Sequence, residues 1–383
     1  MYFNREKSED ILEGIKNFPV VAITGPRQCG KSTLVKQLLE KMENYIYLDL
    51  ELPSDLKKIE DPEWFFTTQK DKLICIDEVQ RKPELFPLIR SLVDRWNRPG
   101  CFLILGSASR EMLKQSSESL AGRIVYKSLT PFLWNEIQQS YSIENYIEKG
   151  GFPRSLISAT TKVSNDWRRS FIQTFLEKDL RFWAGFSIDT MRRLWQMLAH
   201  NNGQILNASV LASSLGVSNV SVKNYIDLLS GTFMLDVVPP YFSNLGKRLV
   251  KSPKVYISDS GITASLLNLN DFAQMNSHPA YGAIWEQIVL TNLKGNFDEA
   301  ELFFYRSSNG AECDFVLKIF DKTFAIECKA SYSPNLTKGN FFAFEDINAD
   351  KNFVVCPIEK GWPMKANIDV VSILELIQRI KEY

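Results

Sequence analysis

Short apolar runs alternate with amphipathic stretches in the first part of the chain. Ile11, Leu12 and Ile15 recur at helical spacing before the first run, and a second helix-like stretch begins at Thr33. Several of the runs end in polar residues, which is typical of buried strands in a parallel sheet. The pattern therefore predicts an α/β domain. Its five predicted strands lie at 20–23, 45–50, 73–78, 101–105 and 124–126.

The rest of the chain carries two further patterns. A helix, a glycine-containing turn and a second helix are predicted over 210–229, and the two strands that follow favour a winged helix. A later helix precedes a strand pair, a third strand, and a closing strand and helix, which predicts another α/β domain. The glycine pair at 150–151 interrupts the helical pattern. We therefore predict three domains, at 1–150, 151–250 and 251–383.

The first apolar run leads directly into a phosphate-binding sequence. Gly25, Gly30, Lys31 and Ser32 satisfy the spacing G-x-x-x-x-G-K-[ST] without a mismatch. Glycines at these places let consecutive backbone N–H groups turn toward one anion, and the following helix adds the positive end of its dipole. We expect Lys31 to reach the β- and γ-phosphates of ATP. The predicted nucleotide-binding residues are Gly25, Pro26, Arg27, Gln28, Cys29, Gly30, Lys31, Ser32 and Thr33.

Two carboxylates, those of Asp77 and Glu78, end the third apolar run. A buried strand of this kind brings Asp77 beside Ser32, where the two are expected to hold Mg²⁺. It also places Glu78 to orient and deprotonate the attacking water. The alternative is a strand that simply runs out into a polar loop. After a complete phosphate-binding sequence, the pattern favours the catalytic interpretation, in which Lys31 and Glu78 are the central residues.

Two more residues are candidates for the same reaction. Ser107 follows the fourth apolar run, and ligands of open parallel sheets gather at the carboxyl ends of strands, so we expect it to sense the γ-phosphate or to position water. A serine that caps the next helix is the alternative. Arg123 offers a cation for the transition state, either within the chain or across a subunit contact of an oligomer. A solvated arginine before the fifth strand is the alternative there.

The last third of the chain contains a set of charged residues at suggestive spacing. Glu327 and Lys329 share one face of a predicted strand, Asp314 lies on the strand before it, and Glu286 lies on the preceding helix. This order of elements resembles the restriction-endonuclease-like fold of the PD-(D/E)XK type. The resemblance implies that Asp314 and Glu327, with Glu286 nearby, hold a divalent metal and that Lys329 orients or activates water. A surface ion pair on an ordinary strand is the alternative.

The predicted winged helix has two interpretations. In one, its second helix lies in a DNA groove while basic residues of the wing contact phosphates. That helix offers only Lys223 as a cation, which is little charge for a DNA contact. In the other interpretation the module only packs against its neighbours. The basic residues assigned to the wing are Lys247, Arg248, Lys251 and Lys254.

Composition narrows the class of protein. The chain of 383 residues has 45 Lys and Arg against 45 Asp and Glu, so its formal net charge is zero and any nucleic-acid binding needs a local basic patch. A charged start and the lack of a long apolar run predict a cytoplasmic protein that does not bind a membrane. Six cysteines without C-x-x-C spacing predict neither disulfides nor zinc, and two histidines argue against a hydrolase triad.

Several segments together resemble one family. The segments at 25–34, 76–81, 106–107, 120–123 and 150–153 resemble the prokaryotic AAA+-type ATPases that carry a conserved C-terminal domain of unknown function. The resemblance continues into the C-terminal third, and it implies ATP and Mg²⁺ as ligands. One departure is Cys29, where these proteins usually have a small aliphatic residue. Because it replaces no phosphate ligand, the expected nucleotide site is unchanged.

Three functions are consistent with these patterns. The first is an AAA+-like ATPase that hydrolyses ATP with Mg²⁺ and couples hydrolysis to C-terminal winged-helix and nuclease-like domains that act on DNA. The second is an ATP-dependent DNA nuclease that cuts with Asp314, Glu327 and Lys329. The third is a nucleotide-gated module that recognises a protein partner and cleaves nothing. Replacement of Glu327 by alanine separates the second from the third.

Overall fold

The computed structural model describes residues 2–106, 120–179, 187–242 and 250–383. The chain packs into two compact units. Unit 1 comprises Met1–Phe132 and Gly231–Phe233, and unit 2 comprises Leu133–Ser230 and Met234–Tyr383. The predicted division into three domains, with boundaries at residues 150 and 250, stays a prediction.

A parallel sheet forms the core of unit 1. Its strands are β1 (Val20–Thr24), β2 (Tyr45–Asp49), β3 (Leu73–Asp77), β4 (Phe102–Leu105) and β5 (Ile124–Ser128). In the described part of this unit the five strands follow the order β2-β3-β4-β1-β5, and each neighbouring pair is parallel. Every residue of β1, β3 and β4 is buried, which explains why these strands are continuous apolar runs in the sequence. The predicted parallel α/β sheet is confirmed.

Helices cover both faces of this sheet. They are α1 (Lys7–Asn17), α2 (Lys31–Leu39), α3 (Pro53–Lys58), α4 (Pro62–Thr68) and α5 (Leu85–Trp96). Ile11 and Leu34 bring α1 and α2 into one buried cluster with the sheet, whereas Phe66 and Ile89 bring α4 and α5 into the cluster on the opposite face. Burial on both faces excludes water from the sheet and fixes the positions of the strand ends.

The strand order brings three carboxyl ends to one edge of the sheet. The loop that begins at Gly25 follows β1, Asp77 ends β3, and β4 lies between those two strands. Parallel strands share the same carboxyl edge, which is where ligands of open α/β sheets bind. Ser107 follows β4 in the sequence, but it lies outside the described residues.

Unit 2 contains the remaining elements. Its strands are β6 (Gln204–Ile205), β7 (Leu235–Val238), β8 (Lys254–Ile257), β9 (Glu301–Arg306), β10 (Glu312–Ile319), β11 (Lys322–Cys328), β12 (Lys351–Val355), β13 (Trp362–Lys365) and β14 (Ile368–Val371). Its helices are α6 (Trp134–Ile137), α7 (Ile143–Lys149), α8 (Pro153–Leu156), α9 (Thr161–Thr174), α10 (Ile188–His200), α11 (Ala208–Leu215), α12 (Asn219–Gly231), α13 (Ser260–Leu266), α14 (Phe272–Ser277), α15 (Tyr281–Asn296), α16 (Lys338–Ile347) and α17 (Ile373–Lys381).

Two sheets organise unit 2. In its described residues, a small antiparallel sheet has the order β6-β8-β7, and a six-stranded mixed sheet has the order β13-β14-β12-β11-β10-β9. Strands β10 and β11 form an antiparallel hairpin, and β11 pairs with β12 in parallel. Helix α15 packs on the larger sheet, where the indole of Trp285 donates a hydrogen bond of 3.0 Å to the carbonyl oxygen of Val355. This packing brings one face of α15 over the hairpin.

All six cysteines are buried, with free thiols. Among the helices that the structure describes, none is both long enough and apolar enough to cross a membrane.

Candidate functional site: a phosphate-binding loop and a buried carboxylate cluster

The loop between β1 and α2 has a backbone that requires glycine. Gly25 has φ of +149°, and a Cβ there would lie 2.1 Å from the carbonyl oxygen of Leu129. Gly30 has φ of +103° and immediately precedes α2. A side chain at Gly25 would collide with backbone that cannot move aside, so the loop packs closely only with glycine at this position.

Lys31 is folded over this loop. Its side chain is buried, and its Nζ donates hydrogen bonds of 3.0 Å to the carbonyl oxygen of Gly25 and 2.8 Å to that of Pro26. Both acceptors are neutral. A bound phosphate would offer the ammonium group a charged acceptor, and charge-assisted hydrogen bonds are the stronger kind. The structure thus holds the ammonium group at the mouth of the loop.

Two buried side chains support the loop, one from outside the motif and one from within it. Arg5 is buried, and its guanidinium donates to the carbonyl oxygens of Cys29 at 3.1 Å, Thr130 at 2.6 Å and Pro131 at 3.3 Å. The thiol of Cys29 itself donates to the carbonyl oxygen of Leu129 at 3.4 Å. Cys29 is therefore a packing residue beneath the loop. The sequence gives no local signal for Arg5, because its partners are distant in the chain.

Tyr47 holds one of the two predicted magnesium ligands. Its hydroxyl donates a hydrogen bond to Oδ2 of Asp77, and the nearby side chain of Ser32 acts to lower the pKa of the phenol. Burial and the Asp77 carboxylate raise the pKa of Tyr47 above its usual range, so that the phenol stays protonated. Tyr47 thus orients the carboxylate of Asp77, a role that the sequence does not reveal. Its signal is weak because any apolar position of a strand accepts tyrosine.

Glu78 lies beside this pair. Its backbone N–H donates to Oδ1 of Asp77 at 2.9 Å, and its carboxylate accepts a hydrogen bond from the side-chain amide of Gln80. Its φ of +56° is unusual for a glutamate, and positive φ recurs at functional turns. Burial raises the pKa of Glu78, the charge of Asp77 adds to this increase, and Lys31 opposes it. The structure brings Lys31, Ser32, Asp77 and Glu78 to one end of the sheet.

Arg123 lies at the amino-terminal ends of the parallel strands, whereas the phosphate-binding loop lies at their carboxyl ends. It immediately precedes β5, and the parallel register places Val20 opposite Ile124 and Thr24 opposite Ser128. Four residues of strand separate that edge from the loop, a distance of about 13 Å at ~3.3 Å per residue. The guanidinium pairs with the carboxylate of Asp94, and one of its hydrogen bonds measures 3.0 Å. This corrects the expectation of a role within its own chain, whereas action across a subunit contact stays a prediction.

The second set of predicted residues comes together in unit 2. Glu286 is on α15, Asp314 is on β10, Glu327 is on β11, and Lys329 follows β11. Lys329 Nζ lies 2.7 Å from Glu327 Oε1, and Asp314 Oδ2 accepts a hydrogen bond of 2.9 Å from the N–H of Cys328. Burial raises the pKa of Glu286 and that of Glu327, and in both the charge of Asp314 contributes next. The predicted proximity of the four residues is present.

A lysine from outside the predicted set lies among these carboxylates. Nζ of Lys254, on β8, lies 2.9 Å from Oε1 of Glu312, 3.4 Å from Oδ1 of Asp314 and 3.9 Å from Oε2 of Glu286. Tyr256, two residues further on the same strand, donates a hydrogen bond of 2.9 Å to Glu286. The Lys254 side chain is 3% exposed. This corrects the expectation that Lys254 contacts DNA phosphates from the wing.

The donor set does not fit a divalent metal. One observation favours a ligand, since Oε2 of Glu327 is buried without a hydrogen-bond partner among the described residues. However, the part of the chain that the structure describes contains no group of three or more His, Cys, Asp and Glu side chains arranged to hold a metal ion. The Lys254 ammonium group already lies beside Asp314. The predicted roles of Asp314 and Glu327 as metal ligands therefore disagree with this arrangement.

The second helix of the predicted winged helix, and the part of its wing that the structure describes, expose few cations. On α12, Asn219, Lys223 and Asn224 are exposed, and Lys223 is the cation among them. Lys251 is also exposed, before β8. Lys247 and Arg248 lie outside the described residues. Helix α12 and the described part of the wing therefore offer little charge with which to hold phosphates.

Three family models match consecutive parts of the chain. A model described as "AAA domain" matches residues 17–138. Models described as "Domain of unknown function (DUF8612)" and "Domain of unknown function (DUF4143)" match residues 140–273 and 281–376. The first match contains the phosphate-binding loop and Asp77, and the third contains Glu286, Asp314 and Glu327. The N-terminal part of the chain is thus an AAA-type P-loop domain.

Relatives match along nearly the whole chain. Uncharacterized proteins of Mycobacterium tuberculosis and Mycobacterium bovis are each 34% identical over 368 residues, which cover 96% of this chain and 83% of each relative. Among solved structures, a Walker-type ATPase of Pyrococcus abyssi aligns with a TM-score of 0.49 and 16% identity, covering 70% of this chain and 96% of that one.

Proposed function

Since the chain carries an AAA domain and belongs to the same family as the two mycobacterial proteins, we propose that it is an ATPase that hydrolyses ATP at the carboxyl edge of its parallel sheet. The observation that carries the proposal is that Ser32 and Asp77 lie at the same carboxyl edge of the sheet, where the Asp77 carboxylate is held by a hydrogen bond. These two residues come from elements that the sequence separates by a whole strand and two helices. Their convergence beside the Lys31 loop is what hydrolysis of a nucleoside triphosphate requires.

The loop binds the triphosphate. Its glycine-dependent backbone fits an anion, and Lys31 exchanges the neutral carbonyl acceptors of Gly25 and Pro26 for phosphate oxygens. Arg5 holds the loop from below and keeps its shape in the absence of the nucleotide. Binding therefore needs little rearrangement of the backbone, which reduces its entropic cost.

Ser32 and Asp77 have oxygen donors that suit Mg²⁺, and they would hold the ion that accompanies ATP. When bound, Mg²⁺ neutralises negative charge on the phosphates. Tyr47 orients the Asp77 carboxylate, and Glu78 is placed one residue further to accept a proton from water. The raised pKa of Glu78 makes it a better proton acceptor than a solvated glutamate.

A Lys31→Ala variant tests this proposal. We expect its affinity for ATP with Mg²⁺ to fall at least about tenfold, equivalent to ~1.4 kcal/mol, and its hydrolysis of ATP to be lost. Lys41→Ala is the matched control, because Lys41 is an exposed lysine just after α2. Equal affinity in the parent protein and in the Lys31 variant, measured by calorimetry, would refute the proposal.

For unit 2 we propose a winged helix built from α10, α11, α12 and the β6-β8-β7 sheet, followed by a nuclease-like fold built from α15 and β9 to β12. The nuclease interpretation requires a metal among Glu286, Asp314 and Glu327. The position of Lys254 favours the other interpretation, a module that binds its partner and does not cut it.

A cleavage assay separates these interpretations. We expect purified protein to leave single- and double-stranded DNA intact in the presence of ATP and Mg²⁺ or Mn²⁺. Metal-dependent cleavage that disappears in Glu327→Ala while ATP hydrolysis remains would favour the nuclease instead. In parallel, a salt titration of DNA binding tests whether DNA is the partner. A steep loss of affinity with salt indicates phosphate contacts, and a flat response favours a protein partner.

A further inference from the structure

The surroundings of the Lys254 side chain differ from those of an ordinary ion pair. Its ammonium group lies within 3.4 Å of both Glu312 and Asp314 and 3.9 Å from Glu286, and these residues come from two different elements, β10 and α15. The ring of Phe304, which is fully buried, lies on another side, with its centroid 5.6 Å from Nζ. The group is thus enclosed by carboxylates and an aromatic face.

The backbone that carries Lys254 is firmly held. Strand β8 is the central strand of its sheet, and Lys254 pairs with Val238 on one side and Ile205 on the other. Because both neighbours restrain the strand, the side chain projects from a fixed point. Withdrawal of the ammonium group would leave Asp314 and Glu286 buried without their cation, which is strongly unfavourable.

The charges in the cluster explain why a cation must be there. Four carboxylates, those of Glu286, Glu312, Asp314 and Glu327, face two lysines, Lys254 and Lys329. Arg306 also approaches Glu312, with Nε 3.6 Å from its Oε2. In a cluster of this kind a divalent cation would supply the positive charge. Here Lys254 supplies that positive charge. It lies on β8 of the three-stranded sheet, whereas Glu312 and Asp314 lie on β10 of the six-stranded sheet.

We propose that Lys254 is a built-in cation that takes the place of a divalent metal among Glu286, Glu312 and Asp314. A metal ion that bound Asp314 would stand beside the lysine's positive charge, and repulsion between buried like charges opposes that. The cluster is therefore a metal-independent core that ties β8 to α15 and β10. Removal of the ammonium group opens it to a divalent ion.

Binding of Mn²⁺ alone tests this proposal in the full-length protein without nucleotide. We expect the wild-type protein and Asp314→Asn to bind Mn²⁺ equally, as measured by electron paramagnetic resonance. Lys254→Met keeps the length of the side chain. We expect it to bind one more Mn²⁺ per molecule than wild type, with an affinity for that ion at least about tenfold higher than that of the wild-type cluster. The double variant Lys254→Met/Asp314→Asn should lose that ion. Lys322→Met, a lysine on the β10–β11 hairpin, is the control and should behave as wild type.

Two results would overturn the proposal. One is a Mn²⁺ site in the wild-type protein that Asp314→Asn removes, since it would show that the metal binds despite Lys254. The other is a folded Lys254→Met that gains no Mn²⁺. If circular dichroism shows that Lys254→Met does not fold, the comparison of wild type with Asp314→Asn still decides. Failure of these tests leaves the ATPase proposal untouched, because no nucleotide is present.

Discussion

The hydroxyl of Tyr47 donates a hydrogen bond to Oδ2 of Asp77, so that a neutral donor on β2 holds the carboxylate that ends β3. The other oxygen of Asp77 accepts the N–H of Glu78 at 2.9 Å. Both carboxylate oxygens are thus restrained before any ligand binds. A carboxylate with a fixed direction is a better metal ligand than a mobile one, because partners of this kind orient the ligand and tune its basicity.

Replacement of Tyr47 by phenylalanine removes this restraint and keeps the ring. We expect the Mg²⁺ concentration that gives half-maximal ATP hydrolysis to rise about tenfold, because Asp77 loses its orienting partner. The affinity for nucleotide in the absence of Mg²⁺ should not change, since the Lys31 loop is intact. Both quantities are measured in a Mg²⁺ titration of the steady-state rate and in a nucleotide-binding assay.

Tyr45→Phe is the control for this variant, because Tyr45 begins the same strand and is exposed. It should leave the Mg²⁺ dependence unaltered. An unchanged Mg²⁺ dependence in Tyr47→Phe would show that the hydroxyl only contributes to packing.

Glu78→Gln should separate binding from hydrolysis. The amide keeps the size of the side chain but cannot accept the proton of water, so we expect hydrolysis to slow about 100-fold or more while ATP still binds. Glu84→Gln is the control, because Glu84 is exposed and makes no side-chain cap for α5. Single-turnover kinetics with labelled ATP measures the step directly. A Glu78→Gln protein that hydrolyses ATP at the parental rate would assign the proton transfer elsewhere.

The parts of this fold that the sequence predicts are those with local signals. The phosphate-binding loop has fixed spacing, and β1, β3 and β4 are buried on both faces, so each is a continuous apolar run. Asp77 and Glu78 were found for the same reason, since they end such a run. Helix boundaries have weaker signals, because the spacing of Ile11, Leu12 and Ile15 predicts a helix but does not mark Lys7 as its first residue.

The residues that were missed or misplaced depend on distant pairing. Arg5 contacts Thr130, 125 residues further along the chain, and a lone arginine in a sequence does not reveal such a partner. Lys254 begins a predicted strand of the wing and is expected to contact phosphates there, whereas the order β6-β8-β7 makes its strand central and turns it toward Asp314. Arg123 is predicted to act within its own chain or across a subunit contact, but strand direction puts it at the amino-terminal end of β5, away from the loop of its own chain.

Arg5→Met should weaken unit 1 and loosen the phosphate-binding loop. Methionine keeps the apolar stem but leaves the carbonyl oxygens of Cys29, Thr130 and Pro131 without their buried donor, and each unsatisfied group costs about 1–3 kcal/mol. We expect a lower free energy of unfolding in urea and a higher Michaelis constant for ATP. Lys16→Met, at an exposed position of α1, is the control and should change neither value. Full stability in Arg5→Met would mean that water replaces the guanidinium.

Gly150, which is predicted to lie at a domain boundary, meets a packing requirement within unit 2. Its φ of +73° and ψ of −177° suit glycine alone, and a Cβ there would lie 2.2 Å from Oδ1 of the buried Asp259. The same carboxylate accepts the N–H of Gly151 at 2.7 Å and that of Ile262 at 2.9 Å, so it cannot move aside without losing both hydrogen bonds.

Gly150→Ala should therefore destabilise unit 2 by about 3 kcal/mol or more, the sum of backbone strain and displacement of the carboxylate. Gly216→Ala provides the matched comparison: Gly216 also has positive φ, +67°, but nothing lies within 4 Å of its Cβ position. Backbone strain alone should lower the free energy of unfolding of Gly216→Ala by about 1–2 kcal/mol. Urea unfolding followed by tryptophan fluorescence measures both. If the two variants lose equal stability, the contact with Asp259 is not what requires glycine at position 150, and backbone conformation alone accounts for the motif.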